Sequence, residues 1–217
     1  MIEEQNERAS EKETGRLEAF SDGVFAVAIT LLVFNLKVPT SAIDSSQLAR
    51  QLADLWPSYL TFFISFATIL IMWVNHHNMF KLVHKSDTLF MFANGFLLLL
   101  VTLVPFPTQL VATYLKEPAA NTACAVYSGL FVIINVAYNL LWLSAAYQHR
   151  LLNANVPHAT VKLRTKMYLL GFPGYIIALL SAFWNPVISI SICGFLWFFW
   201  ALVGYERKPI RKPILHR

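Results

Sequence analysis

The chain has 217 residues, 57% hydrophobic and 13% charged, where an ordinary soluble domain is about a quarter charged. At roughly 20 apolar residues per crossing of a hydrocarbon core about 30 Å thick, this length holds about six membrane spans and leaves no room for a separate soluble domain. The net charge of +5 and pI near 9.3 come from Lys and Arg set between apolar runs, which excludes the basic folded face of a nucleic-acid binder and suits loops beside anionic lipid headgroups.

In chain order, residues 1–15 carry Glu3, Glu4, Glu7, Glu11 and Glu13 and read as a polar tail or a frayed helix start. No basic-then-apolar signal-peptide pattern is expected ahead of the first span. The apolar runs that follow predict an all-α, six-helix transmembrane domain over 16–205, with helices at about 16–38, 56–80, 87–115, 122–148, 162–183 and 186–205, then a basic tail over 206–217. Asn185-Pro186 makes a tight turn between the last two spans. Cys124 and Cys193 fall inside spans, so neither a disulfide framework nor a cysteine metal site is predicted. Asn94, Asn135 and Asn139 are polar groups inside apolar runs, where bonds between helices would satisfy them. Gly171, Pro173 and Gly174 predict a kink or a close helix approach in the fifth span. Trp184, Trp197, Trp200 and Tyr205 suit interfacial anchoring.

Six spans put both termini on one side. That side holds Arg8, Lys12 and Arg16, then Lys81 and Lys85, then Arg150, Lys162, Arg164 and Lys166, and finally Arg207, Lys208, Arg211, Lys212 and Arg217; the other side keeps only Lys37, Arg50 and Lys116. Since Lys and Arg accumulate in cytoplasmic connections, the predicted topology is N-in, C-in, in a cell (inner) membrane. No internal repeat matches one half to the other, which argues against the inverted-repeat plan of many secondary transporters.

The first span opens with Arg16-Leu17-Glu18-Ala19-Phe20-Ser21-Asp22-Gly23. A carboxylate near hydrocarbon costs at least a few kcal/mol unless paired or hydrated, so Asp22 needs a partner, and Arg16 is one candidate. At ~100° per residue, Val27, Leu31 and Phe34 form a narrow stripe with Thr30 at its edge, and Asp22 points roughly 140° away from it by the same arithmetic. Most such stripes touch lipid or pack in a bundle. A relay through Asp22, His76 and His77 is the alternative of a proton-coupled transporter. A metal-dependent membrane enzyme would need His76, His77 and His84 to converge, yet adjacent histidines on a helix diverge by about 100° and no H-E-x-x-H motif occurs.

The R-x-x-x-F-S-D-G stretch, followed by Val24-Phe25-Ala26-Val27-Ala28-Ile29-Thr30-Leu31-Leu32-Val33, resembles the first-helix signature of the transmembrane protein 175 family, the lysosomal potassium channels and their bacterial relatives. Trp73-Val74-Asn75-His76-His77-Asn78-Met79-Phe80 resembles the family's W-x-x-H-H-x-x-F pattern, and Val104-Pro105-Phe106-Pro107-Thr108 its proline-containing third-helix end. The resemblance implies a homotetramer with six helices per subunit, whose first helices line one central pore. It implies a potassium-permeable channel, not an enzyme, with no cofactor and with membrane lipids rather than nucleic acid as surroundings. No T-V-G-Y-G filter loop occurs in this sequence, as in that family. Carried onto these positions, the constriction falls on Val27, Leu31 and Phe34, with Thr30 as a polar ring and no fixed metal site, the permeant potassium passing near Thr30 and Leu31. Phe34 stands where an aliphatic residue is usual. Arg16, Phe20, Ser21 and Asp22 with Trp73 and His77 correspond to the family's hydrogen-bonded motif cluster, and His77 is a possible pH sensor because imidazole titrates near neutrality.

Overall fold

The computed structural model describes residues 2–204, with side chains from residue 13 onward. The described chain is a succession of helices: α1 (Ile2–Leu31), α2 (Ser45–Asp54), α3 (Trp56–Phe80), α4 (Thr88–Leu103), α5 (Pro105–Tyr114), α6 (Ala120–Ala146), α7 (His158–Ala182) and α8 (Pro186–Gly204). Six segments are long and apolar enough to cross a membrane: Glu13–Asn35, Trp56–Phe80, Thr88–Tyr114, Ala120–His149, His158–Ala182 and Pro186–Gly204. The expected six-span all-α plan is therefore the one found, and the chain is a multi-pass membrane protein. The expected basic tail over 206–217 lies outside the described residues.

Four boundaries differ from the sequence reading, each for a local reason. The helix expected from about residue 16 reaches back to Ile2, so the stretch read as a tail is helical in its backbone; its Glu, Gln, Lys, Arg and Ala are strong helix formers. Its far end stops short of residue 38: a 3₁₀ turn covers Leu32–Asn35 and Leu36 is extended. The next proline, Pro39, also holds Val38 away from the helical region. The third span, read as one helix over 87–115, is broken at Val104. Pro105 has no N–H for the Val101 carbonyl, and the Val104 amide takes that carbonyl instead at 3.1 Å. The fifth span begins at His158, directly after extended Pro157.

The sequence reading missed α2. It has no buried residue and no apolar run, and its one signal is the N-cap Asp44, which accepts the Gln47 amide at 2.8 Å and the Ser46 hydroxyl at 2.7 Å. These donors hold the Asp44 carboxyl below the usual carboxylate range.

The α6 span is the centre of the subunit, with 56% of its residues buried against 22% for the first and last spans. It packs against α4, α5, α7 and α8. A Cβ at Gly171 of α7 would collide with the Trp200 ring and lie 2.7 Å from Asn135 Nδ2, and one at Gly174 would lie 2.9 Å from Leu196 Cδ2. The glycines thus let α8 approach closely. Gly171→Ala should lower stability by about 1–3 kcal/mol through overpacking, read as an earlier thermal transition of the detergent-purified protein. Gly194→Ala, where a Cβ meets nothing within 4 Å, should not; equal effects at both positions would refute the close-approach account.

Hydrogen bonds gather several helix ends at one face. Thr14 Oγ1 donates to His84 O at 3.4 Å, and Asn78 Nδ2 to Gly204 O, the end of the last span, at 2.7 Å. The connections after α3 and α6 are zipped together: the His84 and Lys85 amides donate to Leu151 O at 2.8 and 3.2 Å, and Val83 pairs with Leu152. The start of the first span and the end of the last therefore share the face that carries Lys81, Lys85 and Arg150.

Candidate functional site

The first span has two faces of opposite character. Ser21, Phe25, Ala28 and Leu32 are fully or almost fully buried and recur at spacings of four, three and four residues, which places them in one stripe. The span packs through its contacts with α3 and α4. On the other side Val27, Leu31 and Phe34 are 54%, 41% and 78% exposed, and Thr30 is exposed with them. Among the described residues these four are left largely uncovered. The 3₁₀ turn alters their register: at three residues per turn, Phe34 lies directly in line beyond Leu31 instead of drifting round the helix. Thr30 donates its hydroxyl proton to Val27 O at 2.9 Å, which turns the oxygen lone pairs outward as acceptors.

Behind the open face, the motif side chains join the first span to the next two. Trp73 Nε1 donates to Asp22 Oδ1 at 2.7 Å; this indole supplies the partner that the intramembrane carboxylate needs. His77 Nδ1 lies 2.7 Å from Glu18 Oε1, and the Trp73 and His77 rings stack with centroids 5.7 Å apart. A second, fully buried set lies beside this one. Asn94 Nδ2 donates to Ser21 Oγ at 2.9 Å, Ser21 Oγ donates to Leu17 O at 2.8 Å, and Asn94 Oδ1 lies 2.8 Å from His76 Nε2. Because Asn94 spends its amide on Ser21, its carbonyl oxygen must accept from His76, which fixes the proton on Nε2. The His76 ring stacks on Phe80 with centroids 4.3 Å apart and lies 5.3 Å from Phe25.

Of the motif residues read from sequence, Ser21, Asp22, Trp73 and His77 lie in these two sets. Arg16 does not: it is exposed and no bond joins it to Asp22 among the described residues. Phe20 is exposed as well. Glu18, His76 and Asn94 complete the sets and were not assigned to them. Asn94 was legible only as a polar residue in an apolar run, and Glu18 stands four residues before Asp22 on the same helix face. His76 and His77 diverge to Asn94 and Glu18. No hydrogen bond joins Asp22 to either histidine, so the relay of a proton-coupled transporter is not wired among the described residues.

Two further contacts fix the end of the first span. Asn35 Nδ2 donates to Pro105 O at 3.1 Å, a carbonyl at the break between α4 and α5. Ser65 and Thr108 share a hydroxyl bond of 2.7 Å, which ties the same break to α3.

Comparison with known proteins places this geometry. The family model described as the endosomal/lysosomal potassium channel TMEM175 matches residues 16–105, the part that holds both motif sets and the proline break. A potassium channel of Chamaesiphon minutus is 48% identical over 197 residues, 90% of this chain and 97% of that one. A potassium channel of Streptomyces collinus is 38% identical over 91% of this chain and 95% of its own length. The crystal structure of a lysosomal potassium-selective channel TMEM175 homolog from Chamaesiphon minutus superposes with a TM-score of 0.82 at 46% identity, over 90% of this chain and all of that one.

Proposed function

Because the chain belongs to the TMEM175 family of ion channels, and so is not an enzyme, we propose that it is a potassium-permeable channel of the cell membrane whose first spans surround one pore in a homotetramer. The observation that carries this reading is the uncovered stripe of Val27, Leu31 and Phe34 opposite the packed face of the same helix. In a tetramer each residue becomes a ring of four, and an apolar ring narrow enough to exclude water bars any ion until it widens or wets. Thr30 supplies a ring of outward hydroxyl oxygens beside it, suited to a partly dehydrated cation. Potassium sheds its water more easily than sodium, so such a ring favours potassium without a carbonyl filter.

The motif sets have a positioning role in this reading. They hold Asp22 hydrogen-bonded away from the pore and lock the rotation of the first span, so that Leu31 and Phe34 face the axis. Both termini are cytoplasmic, as the accumulation of Lys and Arg at their face supports. The test is ion flux through the purified protein in liposomes under potassium, sodium and caesium gradients. Potassium flux exceeding sodium flux is the expected result; uptake driven only by a pH jump, with no current under any cation gradient, would replace the channel by a transporter.

A further inference from the structure

A groove of about 790 Å³ runs between α4 and α6 on the flank of the subunit. Leu89, Phe92 and Phe96 of α4 form one wall, at spacings of three and four residues, and Leu140, Leu143 and Tyr147 at the same spacings form the other. All six side chains are exposed within the subunit. Since both walls belong to spans, the groove lies at membrane depth, and its two apolar walls, each about two helical turns long, suit an apolar chain.

One end of the groove is polar and built differently. Gln148 and Arg150 line it, just past the end of α6. Gln148 and His149 both lie in the left-handed region, with φ 54° and 56°, which non-glycine residues rarely adopt. The reversal stops the helix and leaves Arg150 at the groove's end. The guanidinium is anchored there by two bonds: Nη1 lies 2.7 Å from Asp87 Oδ2, and Nε donates to Ser144 O at 3.1 Å. Its second terminal nitrogen is used by neither, and the side chain remains partly open to solvent. The zipped connections bring Lys85 close, through its amide bond to Leu151 O. Lys81 Nζ is held on Asn78 Oδ1 at 3.2 Å, so the charges left across residues 81–87 and 147–157 are Lys85 and Arg150 against the one carboxylate Asp87, and this end of the groove carries one surplus positive charge.

We propose that the groove holds an acyl chain of an anionic phospholipid whose phosphate sits on Arg150. The apolar walls accept the chain, the anchored guanidinium presents paired donors to phosphate oxygens, and the surplus positive charge selects a net-negative headgroup over a zwitterionic one. The site lies outside the pore face and stands whatever ion the channel conducts.

Native mass spectrometry of the purified full-length protein tests this with phosphatidylglycerol and phosphatidylcholine of matched chains. Wild type should retain phosphatidylglycerol about fivefold better, the factor one basic side chain contributes near an anionic surface. Arg150→Gln should abolish the preference and Arg150→Lys should keep most of it, which separates loss of charge from loss of fold. Leu143→Trp, which fills the groove and leaves Arg150 in place, should reduce retention of both lipids. Equal retention of the two lipids by wild type, or retention unchanged by both Arg150→Gln and Leu143→Trp, overturns the proposal. So does disulfide cross-linking of Phe96→Cys between subunits in native membranes, which would make a second copy of the chain the occupant.

Discussion

Leu31→Ala is expected to raise potassium flux on the order of tenfold and to narrow the gap between potassium and sodium. Leu31 lies between Val27 and Phe34, and the 3₁₀ turn sets it in line with Phe34, so in the proposed tetramer one substitution would open four positions of the central ring at once. A tenfold gain requires only about 1.4 kcal/mol off the barrier, a small change for a constriction that must be wetted before an ion passes. Leu31→Met, which preserves apolar bulk, should leave flux near that of wild type. Liposome flux of the three proteins at matched reconstitution density reads the result. If Leu31→Ala conducts as wild type does, the exposed stripe faces lipid and the first span does not line the pore.

Asn94→Leu is expected to cost about 2 kcal/mol of stability and to reduce the yield of assembled channel. Asn94 alone supplies the partner of His76 Nε2, and His76 Nδ1 has no partner among the described residues; the substitution leaves a buried imidazole with no bond at all. Stranding a buried polar group costs roughly 1–3 kcal/mol, more than the ~0.6 kcal/mol that an average hydrogen bond between membrane helices contributes. The double variant Asn94→Leu/His76→Phe removes both polar partners and keeps a ring between Phe25 and Phe80, so it should recover most of the loss. Thermal unfolding in detergent, with size-exclusion profiles for assembly, measures both effects. A double variant less stable than Asn94→Leu would show that the imidazole is held by something other than Asn94.

The six spans were legible because each is a long apolar run, and the two faces of the first span because a helix converts spacing into direction. Asp22 was legible as a carboxylate in need of a partner; nearness in sequence offered Arg16, while Trp73 entered only through the motif resemblance, because the packing of α3 is what brings it close. The sets built by Glu18, Asn94 and His76 were hidden for the same reason, since hydrogen bonds between helices leave no periodic trace in a single chain. The break at Val104 carried its signal in Pro105 and Pro107, yet hydropathy runs straight through both. The α2 helix stayed hidden because it buries nothing, and a lone N-cap residue does not distinguish a short surface helix from a loop.

The bond from Trp73 to Asp22 spans 51 residues of chain and that from Asn94 to Ser21 spans 73. At a synthesis rate of about 5–20 residues per second, the carboxylate of the first span waits roughly 3–10 s for its indole and the hydroxyl roughly 4–15 s for its amide. During that interval a lone first span would carry an unpaired charge into hydrocarbon. A first span held at the watery edge of the insertion machinery until α3 and α4 arrive would avoid that cost, and the first three spans would then enter the bilayer as one unit.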